Sequence, residues 1–173
     1  AFSSSDTGYR LVAPTVPPNL SATDGAYTDR VRVTWDAATF ASGYVLYRNT
    51  TNDSGTATVI VSGVAGTLYD DTSAMTGIVY YYWAKATNAA GASIFSSGDS
   101  GYRLVAPTAP LNLSATDGAY TDRVRVTWDV ATNATGYVLY RHTANNSGTA
   151  TAIVSGLAGT LCDDTSATAG SGA

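Results

Sequence analysis

The sequence contains no glutamate and no glutamine, and Lys85 is its only lysine. Because these residue types are the good surface formers of helices, their near absence argues against a helical protein. Threonine, serine, alanine, glycine, valine and tyrosine fill the chain instead. This composition favours strands and turns, so we expect an all-β protein.

Positive charge and long apolar runs are scarce as well. The nine basic residues are scattered and the formal net charge of the 173 residues is −4, so the chain offers no basic stripe to nucleic acid. No apolar run approaches the roughly 20 residues of a membrane-spanning helix. We therefore expect no nucleic-acid partner and no membrane span.

Cysteine and histidine occur once each, which limits the available chemistry. Cys162 cannot form an internal disulfide, and a packing role is favoured over a link between chains. His142 lies in a predicted turn, with no second histidine or thiol at metal-ligating spacing. Neither a Ser-His-Asp nor a Cys-His set can be assembled. We expect no catalytic residue, no cofactor and no enzymatic activity.

What the sequence does contain is an internal repeat with a period of 93 residues, so that Trp35 recurs as Trp128. The segments Val16–Ala74 and Ala109–Ala167 differ at only 11 of 59 positions. Two old domains that had diverged under separate demands would differ more. The repeat therefore indicates a recent duplication.

Alternating apolar and polar residues predict short strands in each copy. In DRVRVTWD the valines and Trp35 alternate with arginine and threonine, so Trp35 is expected to point inward. In GYVLYR, Tyr44 and Leu46 fall on one face and Val45 and Tyr47 on the other. Further runs are TATVIV, TLYDDTS, IVYYYWAKATN and ASIFSS. Seven short strands separated by turns predict a β-sandwich.

Together these segments resemble fibronectin type III domains. The resemblance rests on PPNLSAT, a tryptophan closing the second strand, GYVLYR, DDTSA and GIVYYYWAKATNAAGAS. It is greatest to the tandem, nearly identical copies in large secreted or surface-attached bacterial proteins, which implies an extracellular or cell-surface location. In that family the tryptophan packs in the core, which matches Trp35 and Trp128. The family's corner tyrosine falls on Tyr80, whose hydroxyl would bond to nearby backbone.

The family's strand order, A, B, C, C′, E, F, G, divides the chain. Residues 16–103 would form a complete domain, and residues 109–173 an incomplete one that has strands A to E and lacks the last two. Residues 1–15 resemble a G strand, which belongs to a preceding repeat or is donated to a neighbour. Residues 104–108 form a short linker containing proline, which favours an extended rod.

An incomplete second copy leaves a strand edge without a partner. Tyr137 and Leu139 would lie at the free inner edge of strand C, and Trp128 would be partly uncovered. One interpretation is a segment of a longer array; another is that a neighbour's amino-terminal strand, with Tyr9, enters and builds a head-to-tail filament. A natively disordered tail is the third. Because residues 1–10 resemble G rather than F, one donated strand would leave a gap.

Aromatic residues on the outward face of strands C and F suggest a second interaction surface. If these strands pair, Val45, Tyr47, Tyr81 and Trp83 form an exposed patch, which is typical of binding hot spots and of carbohydrate stacking. We favour the alternative, in which they pack on one another or beneath loops as cross-strand pairs and only stabilise the sheet. If the patch binds, another copy is favoured over a glycan because no polar cluster accompanies it.

Paired carboxylates occur at Asp70 and Asp71 and again at Asp163 and Asp164. They are the only calcium candidates, but calcium takes about six to eight oxygen ligands and DDTS is also typical of a turn. We expect no metal site.

The predicted function is an extracellular structural repeat protein, a subunit or segment of a surface fibre assembled head to tail with strand donation. Its partners would be other copies, or a glycan. The alternative is a ligand-binding or spacer module of a large secreted adhesin or polysaccharide-degrading enzyme.

Overall fold

A computed structural model describes residues 7–168, and predictions that fall on residues 1–6 and 169–173 lie outside that range. The chain divides between Val105 and Ala106 into two compact units, here called unit 1 and unit 2. The described residues form thirteen short strands and two single-turn 3-10 helices, Ser54–Thr56 and Ser147–Thr149. The all-β fold class is confirmed.

Unit 1 is a sandwich of two antiparallel sheets. Its strands are β1 (Ser21–Ala22), β2 (Val31–Thr34), β3 (Gly43–Asn49), β4 (Thr58–Val64), β5 (Leu68–Asp71), β6 (Val79–Asn88), β7 (Gly91–Ala92) and β8 (Asp99–Tyr102). One sheet has the order β1-β2-β5. The other has the order β4-β3-β6, and both β7 and β8 pair with β6.

The core of unit 1 follows the alternation of its strands. Val31 and Val33 of β2 are fully buried, and Trp35 directly after β2 is 3% exposed. Trp35 meets Tyr44 of β3 edge-on, with 5.4 Å between the ring centroids. Every second residue of β6 faces the same interior, and these residues are Tyr80, Tyr82, Ala84 and Ala86. Burial of each valine contributes about 1.5 to 3 kcal/mol, so this face provides much of the driving force for folding.

The chain before β1 lies against unit 1 itself. The backbone N–H of Thr15 donates to the carbonyl of Thr39, and Thr39 N–H donates to the Thr15 hydroxyl. The Asn88 amide donates to the carbonyl of Val12. A G-like strand was expected within residues 1–15, but residues 7–15 contain no strand, and Tyr9 is 89% exposed.

Unit 2 repeats the first five strands. They are β9 (Ser114–Ala115), β10 (Val124–Thr127), β11 (Tyr137–Arg141), β12 (Thr151–Leu157) and β13 (Leu161–Asp164), which form a β13-β10-β9 sheet and a β11-β12 pair. The register is the same in both units, because Arg32 lies opposite Asp70 and Arg125 lies opposite Asp163. In the described part of unit 2, β11 pairs with β12 only.

Trp128 is better covered than expected. It is 6% exposed and forms a small core with Val126 and Leu139, which corrects the expectation of a partly uncovered indole. The reason is that Tyr137 meets the indole edge-on at 5.4 Å, while Leu157 packs against the same cluster. Trp128 is therefore not among the side chains exposed at the free edge of β11.

Candidate interaction sites

The outward aromatic residues of β3 and β6 form one cluster with Lys85 of β6 and with Phe95 of the segment between β7 and β8. This group is here called the aromatic cluster: Tyr47, Tyr81, Trp83, Lys85 and Phe95. Strands β3 and β6 pair as expected, and Tyr47 lies directly opposite Trp83. The Tyr47 ring meets Phe95 edge-on at 4.8 Å, and the Lys85 ammonium lies 4.0 Å from the Phe95 ring centroid. Tyr81 stacks beside Trp83 at 6.4 Å. These side chains therefore make their ring and cation contacts with one another.

The segment between β7 and β8, which contributes Phe95, lies over the aromatic rings of β3 and β6. Trp83 is only 4% exposed, and a Cβ at Gly98 would overlap its indole ring. Of the two interpretations of these side chains, the structure agrees with packing on one another and beneath a loop: Trp83 is buried, while Tyr47, Tyr81 and Val45 are half-buried. The physical reason is that strand alternation assigns a side chain to a face but does not reveal what later packs on that face.

Two serines hold the covering segment onto β6. The Ser93 hydroxyl accepts from Ala86 N–H at 3.0 Å, and the Ser96 hydroxyl accepts from Ala84 N–H at 2.9 Å. The backbone N–H groups of the same serines donate to the carbonyls of the same alanines. Between β7 and β8, the two serine hydroxyls thus accept hydrogen bonds from β6 that a paired strand would otherwise accept. The segment can therefore bend over Trp83. Sequence reasoning missed this role of the serines in ASIFSS.

Asp70 faces a pair of arginines, Arg32 on β2 and Arg30 just before it. Arg32 donates to both of its carboxylate oxygens, at 2.8 and 2.9 Å, and Arg30 lies 3.5 Å away. The hydrogen bonds from Arg32 hold the pKa of Asp70 below its ordinary value. Asp163 has the same arrangement with Arg125 and Arg123.

Asp71 is the most heavily bonded carboxylate of unit 1, and it is 1% exposed. Its side chain accepts from Arg48 at 2.6 Å, from the Ser73 hydroxyl at 2.6 Å and from the Tyr82 hydroxyl at 3.0 Å. Burial raises the pKa of Asp71, but the hydrogen bonds from Ser73 and Arg48 outweigh it and lower the pKa overall. Burial also raises the pKa of Tyr82, which keeps its hydroxyl protonated.

The bonded tyrosine corrects an assignment made from the family resemblance. The hydroxyl of Tyr80 was expected to bond to backbone, yet the hydroxyl that links the sheets belongs to Tyr82 and reaches a carboxylate. The Tyr80 ring is buried and supports the Arg48 guanidinium, which lies 4.3 Å from the ring centroid. Both tyrosines point inward, so alternation alone could not distinguish their roles.

Asp164 of unit 2 has fewer partners than Asp71. It accepts from Arg141 at 2.6 Å and from the Ser166 hydroxyl at 2.7 Å, but the described part of unit 2 supplies no tyrosine hydroxyl. The Arg141 side chain is 43% exposed, whereas that of Arg48 is 19% exposed. A cavity of about 240 Å³ adjoins Asp164.

The aspartate pairs do not form a calcium site. Arg32 and Arg48 bind Asp70 and Asp71, and arginines occupy the equivalent carboxylates of unit 2. Guanidinium groups therefore already hold the oxygens that a cation would need. No group of three or more metal-ligating side chains occurs in residues 7–168.

The remaining residues of interest lie in unit 2. Tyr137 is half-buried and Leu139 is buried beside the free edge of β11. His142 is exposed in a turn, where its ring bonds to the backbone of Ala144. Cys162 is a half-buried free thiol that packs against the core of unit 2. Among the described residues, no helix has the length and apolar character needed to cross a bilayer.

Two known proteins match a stretch of this chain that is about one repeat long. No protein family model matches the chain. It is 37% identical over 87 residues to an amylopullulanase of Thermoanaerobacterium saccharolyticum, a match that spans 50% of this chain and 7% of that enzyme. It is also similar to a solved Fn3-like protein from Clostridium thermocellum, with 29% identity, 55% of this chain and 98% of that chain covered, and a TM-score of 0.49.

A longer structural match decides the fold. The match to the FN1–FN3 domains of chicken CNTN1 covers 88% of this chain and 57% of that chain, with a TM-score of 0.51 and 15% identity. The fold is that of the fibronectin type III domain. In the strand letters of the fibronectin type III domain, β1, β2 and β5 are strands A, B and E. Strands β4, β3 and β6 are C′, C and F. The resemblance inferred from the sequence is thereby confirmed.

Proposed function

We propose that the chain is a non-catalytic spacer module of a large, secreted bacterial enzyme that degrades polysaccharides. The likeness to amylopullulanase carries this proposal. The matched length of 87 residues is close to one 93-residue repeat, and the chain covers 7% of that relative. A match of this extent fits an accessory fibronectin type III domain rather than a catalytic one. We expect the chain to lie outside the cell.

The side-chain geometry supports a spacer over a ligand-binding module. The aromatic cluster is packed internally, with Trp83 beneath Gly98 and Tyr47 against Phe95. The buried carboxylates are bound by arginine. Sugar binding requires exposed aromatic faces with polar groups beside them, and this sheet face offers its aromatic rings to one another.

The connection between the units also suits a spacer. Leu104 N–H donates to the carbonyl of Tyr27 in unit 1, and Thr108 N–H donates to the carbonyl of Thr132 in unit 2. Only a short stretch containing Pro107 separates these two anchored positions. Proline fixes the φ angle of its own residue, so this stretch has fewer backbone conformations than a glycine- and serine-rich one.

Detection of the intact parent protein tests this proposal. An antibody raised against the 173-residue chain is used on culture medium of the source organism, and the same samples are run on a gel containing pullulan or starch. We expect a band of high molecular mass that coincides with polysaccharide hydrolysis. An immunoreactive species that sediments as a fibre and has no hydrolytic activity would contradict the proposal.

A binding assay separates a spacer from a ligand-binding module. The chain is incubated with insoluble starch and pelleted, and we expect it to stay in the supernatant. Tyr47→Ala in unit 1 and Tyr140→Ala at the equivalent position of unit 2 form a matched pair for any retained fraction. Retention that Tyr47→Ala abolishes and Tyr140→Ala preserves would favour a glycan site on the aromatic cluster.

The head-to-tail fibre is the second candidate, and the free edge of β11 is the observation that favours it. Against it, residues 12–15 are bonded to unit 1 of the same chain. Sedimentation of the chain with and without residues 1–13 tests the fibre. Large assemblies that disappear with the deletion would favour it over the spacer.

A further inference from the structure

One arginine at the end of β8 is bound to backbone rather than to an acid. The other arginines between residues 16 and 168 form ion pairs with aspartates, but in this described part of the chain Arg103 has no aspartate at ion-pair distance. Its Nε and Nη2 atoms lie 2.9 and 2.6 Å from the carbonyl oxygen of Thr28. Its Nη1 atom lies 2.8 Å from the carbonyl oxygen of Ala74. Because the guanidinium is planar and carries five N–H donors, it can hold two carbonyls at once.

Both carbonyls belong to parts of unit 1 that are held in place by other contacts. Ala74 is 1% exposed and belongs to the core of unit 1. Thr28 follows Tyr27, whose ring centroid lies 4.2 Å from the guanidinium carbon of Arg30. A cation–π contact of this kind holds the Tyr27 loop against the sheet. Arg103 therefore connects the chain after β8 to two loops that are themselves fixed.

The backbone beside Arg103 is bonded to the same two loops. Leu104 N–H donates to the carbonyl of Tyr27 at 2.8 Å, and Gly77 N–H donates to the carbonyl of Arg103 at 3.3 Å. Gly77 has a φ of 75°, and a Cβ there would lie 3.2 Å from a methyl carbon of Val105. Only glycine adopts this conformation readily and leaves room for the valine. The chain is therefore in contact with unit 1 as far as Val105.

The same seven residues, GYRLVAP, also occur where no such contacts are made. They are residues 8–14 and residues 101–107. Arg10 is exposed and has no hydrogen-bond partner within residues 7–168, whereas Arg103 is half-buried. The tyrosine before each arginine is 89% exposed in the first copy and 37% exposed in the second. The sequence GYRLVAP therefore does not by itself decide how firmly the segment is held.

We propose that Arg103 is a clamp that holds the connection between the two repeats onto unit 1. With the clamp closed, only residues 106 and 107 lie between the last contact with unit 1 and the first bond to unit 2, in which Thr108 N–H donates to the carbonyl of Thr132. Pro107 restricts this stretch further because its ring fixes φ. Without the clamp, residues 103–105 would join the free stretch.

The clamp has two consequences for a spacer. A shorter free stretch allows fewer conformations between the repeats. In addition, a basic residue in an exposed connection is a site of proteolytic cleavage, and proteases act on segments that open locally. By holding the Arg103–Leu104 bond on unit 1, the clamp protects it. This use rests on the proposed spacer function, whereas the clamp itself does not depend on that function.

Limited digestion with trypsin tests the clamp within one molecule. Trypsin cleaves after arginine and lysine, so the Arg10–Leu11 and Arg103–Leu104 bonds present it with the same sequence, once without and once with the clamp. The folded 173-residue chain is digested, and the fragments are followed by mass spectrometry. We expect cleavage after Arg103 to be at least about tenfold slower than cleavage after Arg10, because the segment must first open.

A matched pair of variants separates the clamp from the preference of trypsin. Arg103→Lys keeps the charge and the cleavage site, but a single ammonium group does not reproduce the planar fork that holds both carbonyls. We expect cleavage at this position to become about tenfold to a hundredfold faster, as for loss of hydrogen bonds from a charged group. Arg10→Lys should change cleavage at residue 10 only by the preference of trypsin for arginine. Slow cleavage after Arg48 and Lys85 shows that unit 1 remains folded.

Backbone dynamics give a second test that needs no variant. The order parameters of the amide ¹⁵N nuclei are measured in the unchanged chain. We expect values of about 0.85 at Arg103 and Leu104, as in the strands of a folded domain, and values below about 0.6 at Arg10 and Leu11. The two copies of GYRLVAP again serve as each other's control.

Three results would overturn the proposal. They are equal cleavage rates after Arg10 and Arg103 in the unchanged chain, an effect of Arg103→Lys no larger than that of Arg10→Lys, and order parameters at Arg103 as low as those at Arg10. A parent protein without hydrolytic activity would leave all three measurements as they are. Failure of the clamp and failure of the proposed function are therefore distinguishable.

Discussion

The same five residues, YVLYR, form the centre of strand β3 in unit 1 and the whole of strand β11 in unit 2. In unit 1 the second tyrosine of this run, Tyr47, is half-buried and the Arg48 side chain is 19% exposed. In unit 2 the counterpart Tyr140 is 59% exposed and the Arg141 side chain is 43% exposed. This identical run has a similar partner strand on one edge in both units, whereas β6 adjoins its other edge in unit 1 and no second strand adjoins it in the described part of unit 2. The burial of a strand is therefore a property of its neighbours as much as of its own residues.

The largest expected effect comes from removing the buried carboxylate in each unit. Asp71→Asn leaves the Arg48 guanidinium without its partner in a buried position, and we expect unit 1 to lose about 3 to 5 kcal/mol. Asp164→Asn should cost unit 2 only about 1.5 kcal/mol, because Arg141 is better solvated and no tyrosine is bonded there. Urea titrations followed by the amide resonances of each unit measure both. Equal losses of stability in the two units would contradict the explanation from the solvation of Arg141 and the Tyr82 hydroxyl.

A smaller effect is expected from the segment that covers Trp83. Gly98→Ala places a Cβ against the indole ring, and overpacking of this kind costs about 1 to 3 kcal/mol. The matched control is Gly66→Ala, where a Cβ meets nothing within 4 Å, and it should change stability by less than about 0.5 kcal/mol. The same resonance-resolved titration applies. A Gly98→Ala chain as stable as its control would show that the segment does not press on Trp83.

The smallest expected effect distinguishes the loops that precede β3 and β11. Phe40 has a positive φ of 62° and a ring that is 61% exposed, while its counterpart Asn133 has a φ of 61°. Asparagine tolerates this backbone region better than phenylalanine. Phe40→Asn should therefore stabilise unit 1 by about 0.5 to 1 kcal/mol, and Asn133→Phe should destabilise unit 2 by a similar amount. Thermal unfolding of the two variants checks the sign, and a shift of the same sign in both would contradict the explanation.

Local patterns in the sequence, together with the fibronectin type III resemblance, were sufficient to predict the fold. The alternation in DRVRVTWD places Val31, Val33 and Trp35 in the core, where the structure has them. The pairing of β3 with β6 follows from the strand order of the fibronectin type III resemblance. These features could be predicted because each depends on a short run of residues or on strand order alone.

The contacts that define the candidate sites depend on residues far apart in the chain. Trp83 alternates outward on β6, but Gly98 and two serines bring a later segment over it. The run of three tyrosines in β6 sets Tyr80 and Tyr82 inward, yet it is the hydroxyl of Tyr82 that meets Asp71 of the opposite sheet. The sequence alone assigned no partner to the carboxylates of Asp70 and Asp71, because their arginines lie on other strands. No local pattern carries this information.

Hydrogen exchange of the two YVLYR strands tests directly whether the pairing of β3 with β6 is what distinguishes unit 1 from unit 2. Exchange is followed residue by residue in the intact chain. We predict that every amide of Tyr44–Arg48 exchanges slowly, whereas in Tyr137–Arg141 only the amides that face β12 are protected. Uniform and equal protection of both strands would contradict this account, because it would mean that the free edge of β11 is already occupied in solution.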